Sequence, residues 1–221
     1  VHDRIDDLIE AEVQPQMSSM VDAIIWDLGG VLIDWKTTYV YDEGYFDSPE
    51  KRDHFFNHVC TNDWNENQDA GYPIAQATAE KIAEFPEWES AIRDFYGRWE
   101  DMLRGPIDET VELFRALRST QRYKFYALTN WSAETFPIAL KRFDFLHWFD
   151  GRIVSGEEKS RKPFTQFYQI LFDRYQVVAE RSLFIDDNLR NVQAAEALRI
   201  PSIHFQDPAQ LRAELVGRGI L

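Results

Sequence analysis

One stretch limits the possible folds of this chain more than any other: residues 21–34, V-D-A-I-I-W-D-L-G-G-V-L-I-D. Ala23, Ile24, Ile25 and Trp26 form an apolar run too short for a good helix and suited to a strand buried on both faces. Gly29 and Gly30 then let the backbone turn sharply and come close to a ligand. Asp27 falls at the C-terminal end of that strand, which is where open α/β sheets bind their ligands. The bland alternative is a strand ending in a turn with an exposed aspartate, and this stretch alone does not separate the two.

The rest of the chain has two textures. From 35 to about 106, apolar residues recur at helical spacing with no clear strand between them. Pro49 and Glu50 open a helix running to about Val59. Thr61–Tyr72, T-N-D-W-N-E-N-Q-D-A-G-Y, reads as a polar loop rich in turn formers. Helices are expected over 73–85 and 86–103, each behind a proline, before Gly105-Pro106 closes the segment. From Ile107 the pattern alternates, with helices over 107–119, 132–143, 164–175, 188–198 and 208–216. Between them fall strands over 123–129, 151–154, 182–185 and 200–205. Such alternation implies a parallel sheet covered on both faces. The expected fold is α/β, a doubly wound parallel sheet over 21–33 and 107–221 split by an α-helical insert over 34–106. Residues 1–20 read as an N-terminal extension, with Ile5, Leu8, Ile9 and Val13 on one helical face before Pro15.

Composition narrows the partners. At 221 residues the chain can bury a full core. Its 38 acidic and 24 basic residues give a net charge of −14, which argues against nucleic acid as a partner. The same charge repels phosphorylated metabolites at long range, so such a substrate needs local cations. The single cysteine, Cys60, makes no intrachain disulfide and fits a reducing compartment. No apolar run approaches the roughly 18 residues of a membrane span, and the acidic start lacks signal-peptide form. A cytoplasmic protein, monomer or homodimer, with no membrane partner is expected.

Three further strand ends carry polar groups: Leu128-Thr129-Asn130, the segment E-E-K-S-R-K-P at 157–163, and Ile185-Asp186-Asp187-Asn188. In a parallel sheet all of them share one edge with Asp27. Taken singly, Thr129-Asn130 is a helix entry, Lys162 a solvated charge and the acidic pair a cap. That all should fall at strand ends by chance is a poor account of the set. In this order the segments W-D-L-G-G-V-L, A-L-T-N, S-R-K-P and F-I-D-D-N-L-R-N-V resemble the four motifs of the haloacid dehalogenase superfamily of hydrolases, over roughly 21–33 and 107–205. The helical insert is similar to the cap of the branch that includes sugar-phosphate phosphatases and the phosphatase domain of soluble epoxide hydrolases.

The resemblance implies a Rossmannoid fold and an Mg2+-dependent phosphatase. Asp27 is then the nucleophile, forming an aspartyl-phosphate that water hydrolyses. Magnesium would sit between Asp27, the Gly29 carbonyl and Asp187, with Asp186 orienting Asp187 or a metal-bound water. Hard oxygen ligands with no His or Cys nearby fit magnesium rather than zinc. The Thr129 hydroxyl and the Asn130 N–H would hold phosphoryl oxygens, with Gly30 and Trp131 beside them. Lys162 supplies positive charge to the nucleophile and the transferring group, and Asn191 would support the loop that carries Asp186 and Asp187. The implied substrate is a small phosphorylated metabolite, with a sugar 1-phosphate among the candidates.

One position departs from the pattern. Phosphatases of this superfamily usually carry a second aspartate two residues after the nucleophile, which protonates the leaving oxygen; here that residue is Gly29. General acid catalysis is typically worth about 10²–10⁴-fold. Either the leaving group needs no help, or another group donates (Asp63, Glu66 and Asp69 are the candidates), or the protein is a catalytically weak binding protein. A 2-haloacid dehalogenase would need the same nucleophile and no metal, but that type usually has a large aromatic at the Gly29 position and lacks the acidic pair. Trp64 and Asp69 are expected to face the site, and Trp35 and Trp131 to line its mouth. His54 and His58, four apart, lack a third ligand. Gly29-Gly30 lacks the spacing of a dinucleotide fingerprint.

Overall fold

The computed structural model describes residues 21–221, so the terminal helix expected over 5–13 lies outside the described residues. The chain enters through β1 (Ala23–Trp26), turns at the glycine pair and runs into β2 (Ile33–Trp35). Four helices follow: α1 (Pro49–His54), continued by a π-helical turn over Phe55–Val59, then α2 (Asn62–Asp69), α3 (Ile74–Glu84) and α4 (Glu89–Gly97). The chain returns through β3 (Leu103–Pro106). Alternation then sets in with α5 (Asp108–Ser119), β4 (Lys124–Thr129), α6 (Phe136–Arg142), β5 (Gly151–Val154), α7 (Ser155–Glu158) and α8 (Thr165–Tyr175). It ends with β6 (Ser182–Asp186), α9 (Leu189–Ala197), β7 (Ser202–His204) and α10 (Pro208–Gly217).

Five strands form one parallel sheet in the order β5-β4-β1-β6-β7, with β1 at its centre. Alternate residues feed two separate cores. Ile24 and Trp26 of β1, Phe125 and Ala127 of β4, and Leu183 and Ile185 of β6 pack with Phe114 of α5 and Leu211 of α10. Ala23 and Ile25, Tyr126 and Leu128, and Phe184 pack on the other face with Phe167 and Leu171 of α8 and Ala195 of α9. Strands buried on both faces are thus read as unbroken apolar runs, as their sequences require. The fold is the doubly wound α/β sheet with an inserted helical unit.

Two expectations for the insert are corrected. Thr61–Tyr72 is mostly helix, not loop: the Thr61 hydroxyl accepts from Trp64 N–H at 3.1 Å and caps α2. Gly71, at φ +93°, takes the backbone out of it, and a Cβ there would lie 2.9 Å from the Gly156 carbonyl. Nor does the stretch 86–103 form one helix. It breaks at Arg98, and β3 pairs antiparallel with β2. These two short strands carry the chain out to the insert and back, with Ile107 N–H donating to the Leu32 carbonyl at 2.9 Å. Packing between insert and sheet is continuous: Tyr41, Phe55, Ile92, Phe95 and Trp99 belong to the same buried cluster as Trp26.

Candidate active site

The register of the sheet brings the polar strand ends together. Trp26 pairs with Ala127 on one side and Ile185 on the other, so Asp27 emerges level with Asp186. Asp27 N–H donates to the Ile185 carbonyl at 2.9 Å, which carries the pairing one residue past β1. The side chain of Asp27 is held by its own turn: Oδ1 accepts from Leu28 N–H at 2.8 Å.

Lys162, on the segment between α7 and α8, is completely buried and bridges the two carboxylates. Its Nζ lies 2.9 Å from Asp27 Oδ1 and 2.7 Å from Asp186 Oδ2. Asn130, just past β4, fixes the backbone that delivers this lysine. Lys162 N–H donates to Asn130 Oδ1 at 2.8 Å, and Asn130 Nδ2 donates to the Lys162 carbonyl at 3.0 Å. Burial works against the charge on Lys162, but Asp186 and Asp27 outweigh it and hold the ammonium above its ordinary range. Burial pushes Asp27 up, Lys162 pulls it down, and the carboxylates of Asp186 and Asp187 push it up again, leaving it above the usual carboxylate range.

Asp186 turns inward. Besides Lys162 it accepts from Asn188 N–H at 2.8 Å and from Asn191 Nδ2 at 3.1 and 3.2 Å. Asp187 faces the opening, against the glycine pair. Gly30 has φ +79°, and a Cβ built on it would lie 2.2 Å from Asp187 Oδ2, so only glycine allows this approach. Asp27, Asp186 and Asp187 each present an oxygen within 4.8 Å of the others. An all-oxygen, carboxylate-rich cradle suits a hard divalent cation such as magnesium. Asn191 Oδ1, buried at the same wall and without a partner among the described residues, is a further acceptor there.

Above this floor lies a cavity of about 370 Å³. Its roof is one face of α2: Asn62, Asn65, Glu66 and Asp69, spaced i, i+3, i+4, i+7. Trp35, Trp99 and Trp131 form apolar wall, and the Trp99 and Trp131 rings meet edge to face at 5.6 Å. The roof is fastened to the floor. Glu66 takes Arg161 Nη1 on Oε2 and Arg190 Nη2 on Oε1, both at 2.5 Å, and the Ser155 hydroxyl donates to the Asp69 carbonyl.

Most of the residues expected at the site meet here: Asp27, Gly29, Gly30, Asn130, Trp131, Lys162 and Asp187 line the cavity, with Asp186 directly beneath. Thr129 is buried at the end of β4 and does not line it. Trp64 points away, packing on Phe95 and Tyr96 at 5.2 and 5.7 Å. The His54 and His58 rings lie tilted against each other at 4.8 Å, with His54 stacked on Trp88, and neither lines the cavity. Sequence reasoning missed Asn62, Asn65 and Trp99. The polar stripe at 62, 65, 66 and 69 was a helical signal of inverted sign, since its inner face meets a cavity rather than apolar core.

Comparison with known proteins agrees with this geometry. The family model for haloacid dehalogenase-like hydrolases matches residues 21–199, and the chain belongs to that family. It is a hydrolase. Among curated relatives it is 27% identical over 204 residues to the sesquiterpene phosphatase astK of Aspergillus oryzae, covering 90% of this chain and 97% of that one. It is 23% identical over 195 residues to a phosphorylated carbohydrates phosphatase of Thermotoga maritima, covering 83% and 84%. Among solved structures, the HAD family enzyme bt-2542 of Bacteroides thetaiotaomicron, in complex with magnesium and inorganic phosphate, superimposes with a TM-score of 0.62. That match has 20% identity over 85% of this chain and 95% of that one. Among the described residues no helix is long and apolar enough to cross a membrane.

Proposed function

We propose that the chain is a magnesium-dependent phosphatase that cleaves a small organic phosphate monoester through an aspartyl-phosphate on Asp27. The observation that carries this reading is the Lys162 ammonium held between Asp27 and Asp186, with Asp187 facing them across the glycine turn. Asp27 Oδ1 is committed to Leu28 N–H and Lys162, which leaves Oδ2 to attack phosphorus. Lys162 steadies the nucleophile as an anion and offsets charge on the transferring group. A magnesium ion held by Asp27, Asp187 and the Gly29 carbonyl would supply Lewis-acid neutralisation of the phosphoryl oxygens. Asp186 acts on Lys162 and through Asn188 N–H on the turn that presents Asp187. Asn130 sets the position of Lys162 and, with Trp131, borders the phosphoryl pocket.

Two substrate classes fit the walls. The amides of Asn62 and Asn65 suit a hydroxylated body such as a sugar 1-phosphate, and the Thermotoga relative acts on phosphorylated carbohydrates. Trp35, Trp99 and Trp131 suit an apolar body, and the relative matched over nearly its whole length is a sesquiterpene phosphatase. The acidic trio and Gly29 speak against the metal-free dehalogenase. The test is phosphate release from sugar 1-phosphates and farnesyl phosphate, with magnesium or a chelator. Turnover is expected to vanish with chelation and in Asp27→Asn. Release that persists in Asp27→Asn overturns the mechanism.

A further inference from the structure

Gly29 leaves the reaction without its usual proton donor, and the space around it is empty: a Cβ there meets no atom within 4 Å. Among the described residues nothing on the floor of the cavity fills the role, so the donor is sought on the roof. Three carboxyls lie on or beside α2. Asp63 is exposed and off the stripe that lines the cavity. Glu66 lines it, but each of its oxygens is paired with a guanidinium, Arg161 or Arg190, so neither is free to meet a leaving group. Asp69 lines it too and, among the described residues, has no cationic partner within ion-pair distance. Its Oδ2 accepts from Asn65 Nδ2 at 3.1 Å, and a Ser132 N–H reaches the same carboxyl. Its helix end is pinned from below, since the Ser155 hydroxyl donates to the Asp69 carbonyl and Lys159 Nζ to the Gly71 carbonyl at 3.2 Å.

We propose that Asp69, reaching down from α2, is the catalytic acid and base that replaces the aspartate missing at Gly29. The inference rests on the phosphatase reading above. Burial, then the charge of Glu66, push the Asp69 carboxyl up to about 7, against the opposing pull of the Ser132 N–H, Arg161 and Asn65. From α4, the Tyr96 phenol faces it as well. Asp69 therefore still holds a proton near neutrality. As Asp27 Oδ2 bonds to phosphorus, the bond from phosphorus to the ester oxygen breaks. That electron pair goes to the oxygen, which takes the Asp69 proton and leaves as an alcohol. Asp69, now a carboxylate, takes a proton from the water that attacks the aspartyl-phosphate. Phosphate and free Asp27 result, and Asp69 is protonated again.

The experiment compares two substrates of nearly the same shape. p-Nitrobenzyl phosphate releases an alkoxide that needs a proton, and p-nitrophenyl phosphate releases a phenolate that does not. With kcat/KM reporting the first phosphoryl transfer, Asp69→Asn should lower the benzyl-to-phenyl ratio by about 10²-fold or more. Adding Gly29→Asp to Asp69→Asn should recover the benzyl rate, since the open space at Gly29 admits the side chain. The alkaline fall of kcat/KM near pH 7 seen with the benzyl ester should disappear in Asp69→Asn. An unchanged ratio, whether both rates fall or neither does, overturns the assignment. If that happens while Asp27→Asn abolishes both rates, only the acid is wrong; if Asp27→Asn is active, the phosphatase reading fails with it.

Discussion

Lys162 and Asp186 are both completely buried and lie 2.7 Å apart, Nζ to Oδ2, beneath the side chain that the chemistry depends on. A buried charge survives only with partners, and each of these serves as the other's. Lys162→Ala is expected to lower folding stability by about 3–5 kcal/mol, because it strands Asp27 and Asp186 together. Turnover should be lost as well. Urea unfolding and phosphate release measure the two effects. Lys162→Arg should not restore either, since a planar guanidinium does not fit the slot of a point charge.

Gly30→Ala tests the metal cradle without touching a carboxylate. Its Cβ would sit 2.2 Å from Asp187 Oδ2 in a backbone region where a side chain is strained. Asp187 must move, so magnesium binding measured by calorimetry should weaken, while the far-ultraviolet circular dichroism stays that of the folded protein.

The elevated Asp69 carboxyl predicts a pH signature in stability that needs no substrate. A carboxyl near 4 in the unfolded chain and raised to about 7 in the fold favours the folded state at low pH. That contribution is lost as pH climbs from about 4 through about 7 and stays lost above it. Asp69→Asn carries no such term. Its urea midpoint relative to the parent should therefore rise across that window and level off beyond it. A difference flat with pH would show that Asp69 titrates in its ordinary range.

The Glu66 pairs join α2 to the segments that carry Lys162 and follow Asp187, through Arg161 and Arg190. Glu66→Gln removes both charges' partner. Partly exposed pairs of this kind are worth up to about 1 kcal/mol, or about fivefold in an equilibrium. KM is expected to rise by about that factor with kcat little changed, and the parent's KM should climb toward the variant's as salt screens the pairs.

Where burial follows simple periodicity, the sequence was readable. The apolar runs before Asp27, Thr129 and Asp186 have one meaning, since a strand covered on both faces leaves no polar alternation. Their polar ends then had to meet. Two regions resisted. The α2 segment is packed with Asn, Asp and Gln, residues that favour turns because their side chains compete for the backbone. It is helical because Thr61 caps it and its inner face meets polar company. The β2–β3 pair was hidden because three- and four-residue strands that pair only with each other show no period. Gly105 and Pro106 looked like an ending when they lie within a strand.

The inner face of α2 has no apolar residue to anchor it. What fastens the helix to the sheet is Glu66 and the Asp69 backbone, and what meets the substrate is Asn62, Asn65 and the Asp69 side chain, all within about two turns of one helix. Choosing a substrate and shutting the chamber are therefore one trait rather than two. A lineage that alters this face to accept a new molecule changes, in the same step, how long it holds the old one.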